Sequence, residues 1–256
     1  MHTAVQLYTI RALDQPLPDV LELVATTGVD GVEFAGLEET PPEAVARTLE
    51  ETGLEPAAAH VPMDDLEEAP AIVADTYRTL ECSRLVVPWL DPEAFESRQA
   101  VEQTATRLAT LGDVLAGEDI ELSYHNHDQE FVPLESSTAN DHETENDHET
   151  AFDLLATELE STSVTFELDV GWATAAGRDP VRLLERYGDR IDVVHLKDVD
   201  GNGPCGLGAG DVPLERCVDA ARAVDVDWLI YEHDDPSDPI VALERDTRAM
   251  NTLLRR

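Results

Sequence analysis

Short apolar runs alternate with amphipathic helical stretches along the whole chain. Eight of these runs are typical of strands by length and bounding residues: AVQLYT, GVEFAG, PAAAHVP, RLVVPWL, IELSYHNH, VTFELDVGW, IDVVHLKD and DWLIYEH. The stretches between them place apolar residues at helical spacing, as in SRQAVEQTATRLATLGDVLAG and DPVRLLERYG. Eight strand–helix units in 256 residues predict an α/β fold, a single (β/α)8 TIM barrel over residues 1–256.

The alternative for such a pattern is a doubly wound open sheet. That fold is disfavoured because no glycine-rich phosphate turn follows the first strand.

The sequence also indicates where one of the helices begins and ends. In PPEAVARTLEETG, Thr40 and Glu43 form a possible capping box and Gly53 ends the predicted helix.

One segment departs from this alternation. STANDHETENDHETAF carries the near-duplicate NDHET and is polar and acidic without apolar periodicity. It predicts a solvated loop insertion at about 134–149, after the fifth strand. We interpret His142 and His148 within it as hydrated surface residues rather than metal ligands.

The charge is strongly and evenly acidic. Asp and Glu number 55 against 17 Lys and Arg, giving a formal net charge of -38, and Lys197 is the only lysine. Such a charge repels nucleic acids and anionic membranes, so we expect neither as a partner. Dispersed acidity with almost no lysine favours a halophilic protein in a salt-filled cytoplasm.

No apolar run approaches the roughly 20 residues of a membrane span, and the start lacks a basic segment, which favours a soluble cytoplasmic protein.

Polar side chains gather where the predicted strands end. Residues two apart on a strand share a face, and four consecutive strands end in such pairs: His125 with His127, Glu167 with Asp169, His195 with Lys197, and Glu232 with Asp234. Glu33, His60 and Trp89 occupy comparable positions on the second, third and fourth strands. A barrel converges these ends at one mouth, where crowded carboxylates and imidazoles need a compensating cation. This oxygen and nitrogen donor set predicts one divalent ion: Mn, Mg, Co or Zn.

Five segments in order between residues 124 and 234 carry a resemblance to a known family: YHNHDQEF, LDVGWATAAGRDP, RIDVVHLKD, GLGAGDVP and YEHD. At these residues the chain resembles the xylose isomerase-like TIM-barrel superfamily of sugar isomerases and epimerases, in the branch near inosose dehydratases and keto-sugar enzymes. The resemblance implies one divalent metal held by His125, Asp169, His195 and Glu232. His127 lies on the same face as His125, so the identity of the fifth-strand ligand stays open.

The chain departs from the family pattern at two positions. Many sugar epimerases have glutamate where this chain has His125, and several relatives have histidine where it has Trp172. Simple epimerases of the family use two glutamates as opposing bases, and only Glu232 is present at those positions. Direct two-base epimerisation is therefore less expected.

The function predicted from the resemblance is a metal-dependent isomerase or epimerase that acts next to the carbonyl of a sugar or keto-polyol through an enediolate. Its expected catalytic residues are Lys197, Glu232 and His127. Lys197 can stabilise a developing oxyanion or, if the metal lowers its pKa, exchange a proton, which arginine cannot do. The expected substrate-binding residues are Glu33, His60, Glu130 and Trp172.

Three alternatives remain open. A dehydratase or lyase of the inosose or keto-sugar type uses the same scaffold. A barrel that binds sugar or metal without catalysis is less favoured, and an apurinic-site endonuclease is opposed by the net charge of -38. No basic cluster marks a phosphate site, so the expected partner is an unphosphorylated sugar or polyol. A homo-oligomer is compatible with the sequence.

Overall fold

The eight predicted strands form a closed parallel barrel. The computed structural model describes residues 1–134 and 149–255. The barrel strands are β1 His2–Gln6, β2 Gly31–Phe34, β3 Glu55–His60, β4 Arg84–Val87, β5 Glu121–His125, β6 Thr165–Asp169, β7 Ile191–Leu196 and β10 Trp228–Tyr231. They follow one another around the axis in the order β1-β10-β7-β6-β5-β4-β3-β2. The predicted (β/α)8 TIM barrel is confirmed.

Two short strands lie outside the barrel. β8 (Asp198–Asp200) and β9 (Gly203–Cys205) pair antiparallel directly after β7. The sequence pattern placed residues 191–198 in one strand, whereas β7 ends at Leu196 and Lys197 separates it from β8. The hairpin thus begins at the mouth of the barrel, one residue after the lysine.

Helices cover the outside of the barrel. In the described residues they are α1 Leu17–Ala25, α2 Pro42–Thr52, α3 Met63–Glu68, α4 Pro70–Thr79, α5 Arg98–Ala116, α6 Ala151–Glu158, α7 Val170–Ala175, α8 Pro180–Tyr187, α9 Leu214–Ala223 and α10 Pro239–Leu254. None of these helices is long and apolar enough to cross a membrane.

The predicted capping box of α2 is wrong. The helix begins at Pro42 with Pro41 in the cap position, and no side chain caps it, because Thr40 lies one residue too early. Gly53 does end the helix, with a φ of 74° that an L side chain rarely adopts.

The barrel interior changes from apolar to polar along the strands. Ala4, Ala57, Val193 and Ile230 form a small buried cluster inside the barrel, separate from the main core between strands and helices. Strand side chains alternate faces, so the inward face of β1 continues from Ala4 to Gln6, and that of β7 from Val193 to His195. The polar residues of the mouth therefore rest on an apolar base.

The acidic insertion predicted at about 134–149 lies, except for its two ends, outside the described residues, as do His142 and His148. The last residue of the second NDHET copy has a structural role. The Thr150 hydroxyl accepts a hydrogen bond from the Asp153 backbone and the Asp153 carboxylate accepts one from the Thr150 backbone, which forms the capping box of α6.

Candidate active site

Four side chains from four strands converge at the carboxyl end of the barrel. His125 ends β5, Asp169 ends β6, His195 lies on β7 and Glu232 follows β10. Each offers one nitrogen or oxygen atom, and these atoms all lie within 4.8 Å of one another. All four side chains are buried. The structure thus brings together the four residues that the resemblance selected as ligands, and it groups His125 with them.

The donor atoms of this cluster suit a divalent cation. Asp169 Oδ2 is buried, with the Lys197 ammonium 3.0 Å away. It lies 3.9 Å from His125 Nε2, and Glu232 Oε2 lies 3.0 Å from His195 Nδ1. Carboxylate oxygens and imidazole nitrogens that face one another in a buried site need a positive charge between them. Two carboxylates and two imidazoles are a donor set that Zn, Mn or Co accepts readily.

Lys197 supplies a fixed positive charge at the edge of the cluster. Its ammonium lies 3.0 Å from Asp169 Oδ2, 2.8 Å from Glu232 Oε2 and 2.8 Å from Asp234 Oδ2. Burial alone would lower the pKa of this lysine, but the three carboxylates outweigh burial and raise it above its ordinary value. These three contacts favour a charged Lys197, and the proton exchange that a metal would permit by lowering this pKa stays a prediction.

A second layer of buried carboxylates lies beneath the cluster. Glu167 Oε1 lies 2.8 Å from His60 Nε2, 2.8 Å from His125 Nδ1 and 3.0 Å from His195 Nε2. Burial raises the pKa of Glu167, but the positive potential of the histidines outweighs burial and leaves this pKa well below its usual range. Burial and the neighbouring Glu167 charge raise the pKa of Glu33 to about 7. The negative charge of these buried carboxylates is therefore balanced by contacts with several imidazoles.

A cavity of about 350 Å³ opens above the cluster. Its floor includes His60, His127, Glu232 and Asp234, and its rim carries Tyr8 and Trp89. The two rim aromatics are 41% and 46% exposed, and the Arg11 guanidinium lies over one face of the Tyr8 ring, 3.8 Å from its centroid. A cavity at the small end of the usual range for ligand sites suits a molecule of monosaccharide size.

Of the four residues predicted to bind substrate, His60 lines the cavity, as does His127, a predicted catalytic residue. Glu33 and Glu130 are fully buried and lie outside the cavity lining, as do Trp172 and the predicted catalytic Lys197. Their contacts with substrate stay predictions. Glu130 accepts hydrogen bonds from the Tyr124 hydroxyl and the His127 backbone, so it anchors the turn after β5.

Trp172 lies outside the cavity lining, in contact with His127 and Lys197. Its ring lies under the Lys197 ammonium at 4.9 Å from the ring centroid and stacks against His127 at 5.6 Å between centroids. Both contacts are of the kinds that aromatic rings make with cations and with other rings. The indole thus fixes two residues of the site.

Sequence reasoning missed the role of Asp198. Its carboxylate accepts hydrogen bonds from the backbone of Gly208 at 2.8 Å, Gly210 at 3.0 Å and Val212 at 3.1 Å. These bonds hold the GLGAGDVP loop against the hairpin that follows Lys197. A Cβ at position 210 would lie 2.3 Å from Asp198 Oδ1, so these hydrogen bonds require glycine at that position. The glycine-rich composition of the loop is the sequence feature that could have indicated such a close approach.

Comparison with known proteins places the chain in a family. Residues 21–253 match the family model described as xylose isomerase-like TIM barrel. The chain belongs to this family. An inosose dehydratase from Geobacillus kaustophilus is 37% identical over an alignment that covers 29% of this chain and 30% of that relative. The chain therefore aligns with less than a third of that relative's length.

Two solved structures share the fold over nearly the whole chain. A sugar phosphate isomerase/epimerase from Parabacteroides distasonis has a TM-score of 0.82 at 20% identity, covering 97% of this chain and 93% of that one. The protein IolI, solved with a bound zinc atom, has a TM-score of 0.78 at 15% identity, covering 99% and 98% of the two chains. At these identities the likeness shows the fold alone.

Proposed function

We propose that this xylose isomerase-like barrel is a divalent-metal-dependent isomerase or epimerase of an unphosphorylated sugar or keto-polyol. It removes the proton next to the substrate carbonyl and returns it to a neighbouring carbon or to the other face. The observation that carries the proposal is the set of four donor atoms within 4.8 Å of one another below a cavity of about 350 Å³.

The proposed ligands of the ion are His125, Asp169, His195 and Glu232. The buried carboxylate of Asp169 and the opposed donors of His195 and Glu232 support this assignment, as does the zinc in the IolI structure. Mn, Mg, Co and Zn all accept such a set. When bound, the ion supplies Lewis acidity toward a carbonyl oxygen of the substrate.

Glu232 is the proposed proton acceptor. Burial raises its pKa, but Lys197 and His195 outweigh burial and hold this pKa well below its usual range, so the carboxylate stays ionised. It lines the cavity floor, within reach of a small ligand. An ionised carboxylate in contact with the substrate is the state that general-base catalysis requires.

Lys197 and His127 complete the proposed catalytic set. The Lys197 ammonium, held in place by three carboxylates, stabilises negative charge that develops on a substrate oxygen. Burial lowers the pKa of His127 to about 2, so its imidazole is neutral. A neutral imidazole in the cavity lining accepts a hydrogen bond from a substrate hydroxyl and orients it.

Dehydration is a second candidate. Of the glutamates near the site in the described residues, Glu232 lines the cavity, while Glu33, Glu130 and Glu167 are fully buried outside its lining. A two-base epimerase needs acceptors on both faces of the substrate, whereas a dehydratase needs one base and a departing hydroxyl. The partial likeness to an inosose dehydratase supports this reading.

Solvent deuterium uptake tests both readings. The metal-loaded protein is incubated with keto-inositols and ketohexoses in heavy water and the products are analysed by mass spectrometry. Deuterium at carbon without loss of water supports the isomerase or epimerase, and loss of one water supports the dehydratase. Binding of substrate with neither outcome would overturn the proposal in favour of a non-catalytic barrel. Glu232→Gln should abolish exchange, with its metal content measured alongside.

A further inference from the structure

The two histidines of the cluster present different ring nitrogens to it. His125 Nε2 faces Asp169, and His195 Nδ1 faces Glu232. Each histidine turns its other nitrogen downward, toward a carboxylate of the buried layer. We propose that Glu167 and Glu33 are positioning residues that fix opposite tautomers of His125 and His195, so that one offers Nε2 and the other Nδ1 to the ion. This inference rests on the proposed function, since it concerns the ligands of that ion.

Glu167 sets the tautomer of His125. A carboxylate oxygen only accepts hydrogen bonds, so the His125 Nδ1 that lies 2.8 Å from Glu167 Oε1 must carry the hydrogen. The neutral imidazole then has its lone pair on Nε2, the nitrogen that faces Asp169. His60 Nε2 donates to the same oxygen at 2.8 Å, which holds the carboxylate from the cavity side.

Glu33 sets the tautomer of His195 through a chain of oriented hydrogen bonds. The Gln6 side-chain oxygen accepts from the Tyr8 backbone at 3.0 Å, so the Gln6 amide nitrogen is the atom that donates to Glu33 Oε2 at 2.8 Å. His195 Nε2 lies 2.6 Å from Glu33 Oε2 and 3.0 Å from Glu167 Oε1, whereas Nδ1 lies 3.0 Å from Glu232 Oε2. The two carboxylates beside Nε2, one of them at the shorter distance, place the hydrogen there, and Nδ1 keeps its lone pair when Glu232 binds the ion beside it.

Both carboxylates follow a register shift in the barrel sheet, which orients them into this layer. The register between β2 and β3 shifts at Val32/Glu33, and that between β6 and β7 shifts at Phe166/Glu167. Such irregularities redirect the side chain that follows them. Carboxylates that hold metal-binding histidines in this way raise the affinity of a site for its metal, and their loss typically costs about 10–100-fold.

The tautomers can be read directly in the wild-type holoenzyme. Long-range proton–nitrogen NMR spectra of the zinc-loaded protein, labelled with ¹⁵N in histidine, should show His125 protonated at Nδ1 and His195 protonated at Nε2. Alanine variants of His127 and His2 assist the assignment. The same ring nitrogen bearing the hydrogen in both histidines, or the reverse pattern, would overturn the inference.

Metal affinity supplies the second readout. Competition with a chromophoric chelator should show about 10–100-fold weaker zinc binding for Glu167→Met and for Glu33→Met. The corresponding Gln variants should restore part of the affinity, because an amide oxygen still accepts the imidazole hydrogen. Asp153→Asn is the matched control: this buried carboxylate caps α6 and contacts Arg186 and Tyr187, away from the histidines.

The outcomes separate this inference from the proposed function. A wild-type protein that binds no zinc would overturn both. A wild-type protein that binds zinc while the folded Met variants bind it equally tightly would overturn the positioning roles alone. If the Met variants do not fold, the NMR spectra of the wild type still decide between the tautomers.

Discussion

Gly171 packs directly against the stem of Lys197. A Cβ added at position 171 would lie 2.7 Å from Lys197 Cγ and 2.9 Å from its Cβ, closer than nonbonded carbons approach. The glycine in the segment DVGW therefore makes room for the chain's one lysine. Through that contact, the first turn of α7 determines where the ammonium sits between Asp169 and Glu232.

Replacing this glycine should displace the lysine without removing it. Gly171→Ala is expected to lower turnover at least about tenfold, roughly 1.4 kcal/mol of barrier, because the ammonium moves from its place beside the cavity. The measurement is the steady-state rate with the substrate found by deuterium uptake. Gly201→Ala, in an exposed turn where an added Cβ meets nothing within 4 Å, is the control. Equal rates for the two variants would contradict the steric account.

Lys197→Arg tests the charge and shape of the cation together. An arginine keeps the positive charge but presents a planar, larger group in a fully buried space. We expect zinc affinity to be retained and turnover to fall at least about tenfold, roughly 1.4 kcal/mol. Metal titration and steady-state kinetics on the same preparation check this. Unchanged turnover would show that Lys197 has no part in the chemistry.

Glu130 should make stability depend on pH. Burial raises the pKa of this fully buried carboxyl from 4.5 to about 7. Between these values the folded protein binds more protons than the unfolded chain, so the contribution of Glu130 to the free energy of unfolding falls as the pH rises. Glu130→Gln mimics the protonated form and should gain stability relative to wild type from pH 5 to pH 8, by on the order of a few kcal/mol.

Urea unfolding of both proteins across that range measures the difference. Glu96→Gln, at an exposed position, reports the effect of removing one surface charge. A stability difference between Glu130→Gln and wild type that stays flat with pH would show that Glu130 titrates normally.

The acidic surface should make folding depend on salt. With a formal net charge of -38, self-repulsion opposes the compact state, and screening reaches a length of only about 3 Å at 1 M salt. We expect the free energy of unfolding in KCl to rise steadily from about 0.1 M to molar concentrations. Chloride is the better choice because sulfate stabilises most proteins by exclusion from their surface. Stability that did not fall on dilution would count against the halophilic prediction.

The barrel was predictable because its strands are buried on both faces and bounded by helical stretches. Strand alternation then placed His125, Asp169, His195 and Glu232 at converging strand ends, and the closed sheet supplied the long-range step that joins them. The local pattern and the global fold agree at these positions.

The depth of a side chain inside the barrel was not predictable. Glu33 was predicted to bind substrate from its strand-end position, and the register shift beside it places it beneath His195, a depth that no sequence pattern indicated. The direction of the Lys197 pKa shift depends on three carboxylates from two distant segments, Asp169 in one and Glu232 with Asp234 in the other, which only the folded barrel brings together. Glu130 lies in a turn without periodicity, so its inward orientation left no pattern in the sequence.

Anomalous diffraction from metal-soaked crystals at the absorption edge of zinc tests the metal site most directly. We predict one peak per chain, about 2.0–2.2 Å from a donor atom of each of His125, Asp169, His195 and Glu232. A peak held by other residues, or no peak at this mouth of the barrel in crystals that contain zinc, would contradict it.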